Sequence, residues 1–444
     1  MFRKLKSKSE FSRNVLTLMT GTTIAQAIPI AISPILTRIY TPEDFGVFAL
    51  YMAIVSIIAI FITGRYELAI MLPKNDKYAI NIFFLSLIIT TIISIILFVI
   101  VLLFHDSLIS ILGSKDISTW LYFIPLSVFL LGLYQSLNYW FNRKKEYRNI
   151  SINKITRSGT VATSNIITGL IGLGAKGLIL SSIISQLVIN ILFIKIFIKR
   201  YQNLFVKIKL YRMQILAKKY IKFPTWNLGA SFLHTSKENV LQIFMYKFFS
   251  TSFLGFYFFA NKIIKTPSSI LITSFSDVYY QRISKISSKE DIFLLSISYT
   301  KKIFFVLIIP YIVFIYILED FIPFIFGDKW SILYMYIYII SLPIFLNLIV
   351  SHFSKILIVV NKQEISFYFH LFKFIGFILM LVFLYIFNMF SFEALILLSM
   401  FEIFWSIIGV VLIREVLEVK YNLGYIYSLG ILLVIFELII LMEV

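Results

Sequence analysis

Apolar residues run along this chain in blocks of about 20 or more, broken by short polar turns. The blocks fall at 12–37, 44–64, 79–104, 118–141, 150–173, 176–198, 219–248, 252–279, 293–318, 330–352, 365–387 and 392–413, with a further one at 422–442. Strand-type alternation is absent. Lipid offers no partner for open backbone groups, so each block is read as a membrane-spanning helix. The pattern predicts an all-α integral membrane protein with twelve spans plus one extra C-terminal hydrophobic helix.

Composition agrees. The chain is 59% hydrophobic and 14% charged, whereas a soluble domain is roughly 45–50% apolar and about 25% charged. The basic start, the apolar run and Ala25-Gln26-Ala27 superficially fit a cleaved signal peptide. The run continues to Leu36, too long for that reading, and the segment is taken as the first helix.

The polar turns alternate in charge. With the N-terminus placed in the cytoplasm, the cytoplasmic segments, which take in the ends of the neighbouring spans, hold 33 of the 41 Lys and Arg. The opposite turns carry acids: Glu43-Asp44, Asp106, Glu319-Asp320 and Glu393. This is the positive-inside bias. It accounts for the net charge of +19 without a nucleic-acid partner. The expected arrangement is multi-pass, with a cytoplasmic N-terminus. No turn is long enough to house an external catalytic domain.

The two halves of the sequence echo one another. "LTRIYTPEDFGVF" at 36–48 matches "MYKFFSTSFLGFY" at 245–257 in character, at an offset of 209. "NIFFLSLIITT" at 81–91 matches "DIFLLSISYTK" at 291–301 at offset 210, and Trp120 and Trp330 share that spacing. A unit of six helices returns the chain to its starting side, so the repeat predicts two parallel six-helix lobes around a central cavity. The domains expected are an N-terminal lobe, 1–208, a C-terminal lobe, 209–418, and an additional helix, 419–444, with 195–222 as a basic linker between the lobes.

Several spans carry polar stripes. Asn227, Ser231, His234 and Glu238 stand at i, i+4, i+7 and i+11, with Lys237 beside them. Thr22, Gln26, Pro29 and Ser33 follow the same spacing in the first helix. Lys262, Lys265, Ser269, Thr273 and Ser276 line one face of another helix. Lys237 and Lys262 are each predicted about 15 Å inside the membrane. An ammonium at that depth is costly unless it faces a polar cavity. The fifth span adds Lys154 and Arg157, the latter near the cytoplasmic mouth. Lys237, Lys262, Lys265, Arg157 and His234 are therefore the candidate cationic cavity. Thr22, Gln26, Ser33, Asn227, Ser231, Glu238, Ser269 and Thr273 are candidate polar lining. A cavity richer in Lys and Arg than in Asp and Glu suits an anion such as a diphosphate. Pro29, Pro34 and Pro267 are expected to bend these helices.

Catalysis by a familiar motif has no support. There is no Cys, only four His at scattered spacings, and no HExxH, P-loop or GxSxG pattern. No cofactor or metal site is called from the sequence.

The stretch "ILTRIYTPEDFGVFALYMAIVSIIAIFITGRYELAIMLPK" at 35–74 resembles the start of the polysaccharide transporter, or O-antigen flippase, family. The features are the Thr-Arg-x-Tyr-x-Pro-x-x-Phe-Gly turn and the Gly-Arg-Tyr-Glu at the end of the second span. The resemblance covers roughly residues 1–415. It implies membership of the MATE-like exporter superfamily, which also contains multidrug exporters and the peptidoglycan lipid flippase. It further implies transfer of undecaprenyl-diphosphate-linked sugar units from the inner to the outer leaflet by alternating access, for O-antigen, capsule or similar surface polysaccharide. The partners so implied are the lipid-linked oligosaccharide, the surrounding lipids and the polysaccharide polymerase machinery. The coupling ion, H+ or Na+, is left open. A peptidoglycan-precursor flippase and a multidrug exporter remain the alternatives.

Overall fold

The computed structural model describes residues 10–418 apart from 114–115, 284–285, 287, 351–352, 361 and 391. The expected helix at 422–442 lies outside the described residues. The helices are α1 (Glu10–Ala31), α2 (Ser33–Ile39), α3 (Pro42–Ala59), α4 (Tyr66–Ala69), α5 (Asp76–Leu112), α6 (Ser118–Leu121), α7 (Ile124–Arg143), α8 (Tyr147–Leu170) and α9 (Ala175–Tyr201). The chain continues as α10 (Leu210–Lys219), α11 (Leu228–Phe248), α12 (Thr251–Ile283), α13 (Lys289–Phe326), α14 (Leu333–Val350), α15 (Ser354–Val359), α16 (Gln363–Ile386) and α17 (Phe392–Leu417).

Among the described residues, nine helical stretches are long and apolar enough to cross a membrane. The three expected spans that fall short are α8, α11 and α12. All three are long enough, at 24, 21 and 33 residues, so their polarity is what sets them apart. They are the helices that carry Arg157, Lys237 and Lys262. Elsewhere the outward faces are apolar, as at Ile88, Ile92, Ile95 and Leu103 of α5 and at Phe305, Ile309 and Tyr316 of α13. Such faces are stable only against lipid.

Contacts divide the chain into two compact units, Met1–Leu254 and Gly255–Val444. The sequence boundary at 208/209 falls inside the first unit, because α11 packs along α3 and the π-helical turn before it, Phe223–Asn227, packs on α4. Each unit repeats some of the same packing. The long third helix has 37 residues in α5 and 38 in α13. It packs on the fourth, α7 or α14, which packs on the last, α9 or α17. Buried Trp120 and Trp330 each stand just before that fourth helix.

The seam between α5 and α7 is built from small residues, which let two backbones approach in lipid. The buried hydroxyls of Ser86 and Ser136 meet at 2.9 Å, and Gly132 sits against Thr90. One side chain of α5 ties down the linker. Buried Asn81 of α5 donates to the Lys207 carbonyl at 3.1 Å and accepts from the Lys209 amide at 2.8 Å.

Proline has two outcomes here. The break falls at Pro34, where α2 starts anew after α1, whereas α1 and α12 run on through Pro29 and Pro267. Pro267 cannot donate to the carbonyl four residues back. The hydroxyls of Thr266 and Ser268 bond the carbonyls of Lys262 and Ile264, on either side of the one Pro267 leaves, at 2.6 and 2.7 Å.

Candidate functional site

The turn at 36–46 is architectural. Thr41 caps α3, with Pro42 in the first turn and Asp44 completing a capping box. The other Asp44 oxygen accepts from the Ala175 amide at 2.7 Å, so one carboxylate ties the starts of α3 and α9. Tyr40 donates to the Asn165 carbonyl at 2.7 Å and meets Thr168, anchoring the turn to α8. Gly46 passes so close to the Thr251 carbonyl that an added Cβ would lie 2.0 Å from its oxygen.

Behind this turn the first unit gathers polar groups. Close packing of α1 on α8, with Gly21 against Ser151, brings Lys154 within hydrogen-bond reach of Thr22 at 3.1 Å. Arg157, nearly one turn further along α8, lies over the Tyr134 ring of α7 at 5.7 Å. Gln26 of α1 and Gln135 and Asn138 of α7 each bury a side-chain oxygen with no hydrogen-bond partner among the described residues. The Ser33 hydroxyl, by contrast, is spent on the Ile30 carbonyl at 2.6 Å.

The Gly64-Arg65-Tyr66-Glu67 stretch forms a knot between α3 and α4. Gly64 and Arg65 both take left-handed backbone, at φ 57° and 60°. That is ordinary for Gly and strained for Arg. The turn carries the Glu67 carboxylate to 1% exposure, where it accepts from the Thr63 hydroxyl and lies 3.6 Å from Arg65. Tyr66 donates to the Ala217 carbonyl of α10 at 3.0 Å. Glu67 lies outside the helices that can cross a membrane. Burial pushes its carboxyl above the usual range, while Thr63, its own amide and Arg65 pull the other way.

On α11, Ser231 and Lys237 are partly buried and Glu238 is exposed, and each is engaged by a neighbouring group. The side chains of His234, Asn227 and Thr273 lie outside the described residues. On α12, Lys265 and Ser269 are likewise engaged, and partly buried Lys262 stands one turn before Thr266. The structure thus brings Lys154 to Thr22 and Arg157 to Tyr134. Lys237 belongs to the first unit, and Lys262 and Lys265 to the second. The second unit also holds an ion pair inside its apolar helices, Lys373 of α16 to Glu402 of α17 at 2.9 Å.

Two features escaped the sequence reading. Gln135, Asn138, Tyr139 and Asn142 form an i, i+3, i+4, i+7 stripe on α7, which the spacing test applied to the fifth span would have found. Glu67 was visible only as a motif letter, since burial of a carboxylate at a helix break has no local signature.

The polysaccharide biosynthesis protein family model matches residues 35–335. No curated protein matches the chain in sequence. Among solved structures, "Lipid II flippase MurJ, inward closed conformation" is similar with a TM-score of 0.71 at 12% identity, over 97% of this chain and 92% of that one. An inward-facing multidrug resistance MATE family transporter of the MOP superfamily gives 0.65 at 16% identity, over 90% and 94%. A MOP superfamily transporter from Pyrococcus furiosus gives 0.59 at 14%, over 91% and 95%. These are likenesses of fold: the chain is a multi-pass, all-helical membrane protein of MATE-like architecture.

Proposed function

The chain belongs to the polysaccharide biosynthesis protein family, and from that premise we propose that it is a flippase for undecaprenyl-diphosphate-linked oligosaccharide units. It moves them from the cytoplasmic to the outer leaflet of the plasma membrane for a surface polysaccharide. The N-terminus and the basic turns face the cytoplasm. The observation that carries this reading is where the polarity lies. Among the described residues, nine helical stretches are apolar enough to cross on their own, while α8, α11 and α12 are long enough but carry cations instead. An intramembrane cation is retained for a partner or a pathway.

In this reading Lys262 and Lys265 meet the diphosphate, with Lys237 and His234 adding positive charge and Arg157 guiding entry from the cytoplasmic side. Thr22, Gln26, Ser231, Glu238 and Ser269 face the saccharide. Binding energy comes from offsetting phosphate charge that has left water. Transport requires that this binding exist in two alternately accessible states. The prenyl tail stays in lipid. The polymerase of the same glycan receives the product.

The fold likeness to a lipid II flippase favours one second reading, a peptidoglycan-precursor carrier. A deletion strain separates the two. Loss of surface glycan, with lipid-linked oligosaccharide accumulating in the inner leaflet and growth sustained, supports the first. Lysis with accumulated peptidoglycan precursor overturns it in favour of the second. Unchanged glycan and unchanged precursor would contradict both.

A further inference from the structure

We infer that the basic segment 199–222 is a binding surface for anionic phospholipid, with α10 lying at the headgroup level of the bilayer and its lysines gathering acidic lipids around the first unit. The inference goes beyond the transport reading. On the proposed orientation the lipids are those of the cytoplasmic leaflet.

Charge is the first observation. The segment holds eight Lys and Arg and no Asp or Glu. Lys199, Lys207, Lys209, Lys218, Lys219 and Lys222 are exposed. Among the described residues, Arg200 alone of the eight meets a carboxylate, that of Glu146 at 2.7 Å. Arg212 donates to the Lys207 carbonyl at 3.0 Å and lies over the Tyr211 ring. Like charges so close in the chain repel one another, and Glu146 offsets only one of them. A surface of lipid phosphates supplies the missing counter-charge.

Apolar exposure is the second. Met213 and Leu216 are buried where α10 packs on α5. The opposite face presents Leu210, Tyr211, Gln214, Ile215 and Lys218, all exposed. Leu210 is 68% exposed, Ile215 60%, and Val206 in the turn before the helix 84%. Aliphatic and tyrosine side chains interleaved with lysines suit a membrane interface. The apolar groups enter the acyl boundary while the ammoniums reach the headgroups. In water the same face would leave its apolar surface uncovered.

The third is that the segment is held in place. Asn81 stands little more than one turn into α5, and it bonds the backbone at both Lys207 and Lys209. Tyr66 holds α10 from another side, donating to the Ala217 carbonyl at 3.0 Å. From Asn81, α5 runs on into the exposed apolar face at Ile88, Ile92 and Ile95. These contacts fix α10 beside the end of a spanning helix, at the depth where headgroups begin. Lys207 and Lys209 project from a pinned backbone, so meeting a phosphate orders little beyond their own side chains.

The chain has no Cys, so a single one can be introduced. A fluorophore on Ile215→Cys reports α10, and one on Ile95→Cys reports the exposed apolar face of α5 as a control. The full-length protein is placed in phosphatidylcholine nanodiscs that contain a trace of quencher lipid. The quencher is an acyl-chain nitroxide, carried either by phosphatidylglycerol or by phosphatidylcholine. At position 215 the anionic quencher is expected to act as though about fivefold or more concentrated than the zwitterionic one, and raising the salt should shrink that difference. At position 95 the two quenchers are expected to act equally. Lys207→Gln, Lys209→Gln, Lys218→Gln, Lys219→Gln and Lys222→Gln together should abolish the difference at 215, with position 95 unchanged as the sign of a folded, inserted protein. Equal quenching at 215 in the otherwise unaltered chain would overturn the inference, even if the five-fold variant failed to fold. So would a preference for the anionic lipid that survives the five substitutions. Quenching by neither lipid would put the face in water, open to an acidic protein surface, and would overturn it as well. No substrate enters the measurement, so its failure leaves the flippase reading standing, and failure of that reading leaves the lipid preference standing.

Discussion

Lys154 of α8 donates to the Thr22 hydroxyl of α1 at 3.1 Å, and no other described group shares that ammonium. Both residues sit on polar stripes visible in the sequence, and the structure joins the two stripes. Thr22→Val removes the acceptor while leaving the charge half-buried. It should lower stability by about 1–3 kcal/mol. Lys154→Met removes the charge as well and should cost less. Thermal unfolding of the two variants in detergent checks the order; equal losses would show that the hydroxyl is irrelevant to the lysine.

Asp44 serves two helix starts at once. Asp44→Ala leaves the Ala175 amide without its acceptor and dismantles the capping box of α3. The expected loss is about 1–2 kcal/mol. Asp44→Asn should recover part of it, because an amide oxygen still accepts. The check is the midpoint of thermal or urea unfolding against wild type.

Gly46→Val tests the close passage of α3 over the Thr251 carbonyl. A Cβ at 2.0 Å from a backbone oxygen forces the start of α3 away from the turn before α12. Overpacking of this kind costs on the order of 1–3 kcal/mol. Folded yield after membrane extraction should fall below wild type already for Gly46→Ala, which adds the Cβ alone, and further for Gly46→Val.

Lys373 and Glu402 make the fourth case. Lys373→Leu removes the cation that the partly buried Glu402 carboxylate meets at 2.9 Å, and the loss should reach up to about 3 kcal/mol. The double variant Lys373→Leu, Glu402→Leu should regain most of it. Unfolding measured for the single and double variants gives the coupling directly; a double variant worse than the single would mean that the pair is not what holds α16 to α17.

These cases show what was legible in the sequence and what was not. The spans followed from apolar length, because lipid leaves the backbone no alternative to a helix. The repeat followed from a handful of residues, Trp120 and Trp330 among them, whose burial before the fourth helix gives their spacing a structural reason. The polarity of α8, α11 and α12 was likewise readable, since it is a property of each helix alone. Roles were harder. The Thr-Arg-x-Tyr-x-Pro-x-x-Phe-Gly turn drew notice as a motif, and its residues prove to be caps, anchors and close contacts. Glu67 went unremarked as chemistry, because its burial depends on α7 and on the turn before α11, which are distant in sequence. The helix expected to open the second lobe packs on α3 for a similar reason: contact between helices is not written in the periodicity of either one.

The central claim is that the chain flips a diphosphate-linked saccharide by means of Lys262 and Lys265. It is tested most directly by reconstituting the purified protein into liposomes containing a fluorescent undecaprenyl-diphosphate-linked oligosaccharide and measuring the fraction reached by an external quencher over time. Wild type should equilibrate the label between leaflets. Lys262→Ala with Lys265→Ala should fold and insert, yet slow that movement at least about tenfold, the equivalent of 1.4 kcal/mol. Lys-to-Arg replacements should retain more activity. Wild-type movement no faster than in protein-free liposomes would contradict the function, and a double Ala variant as fast as wild type would contradict the site.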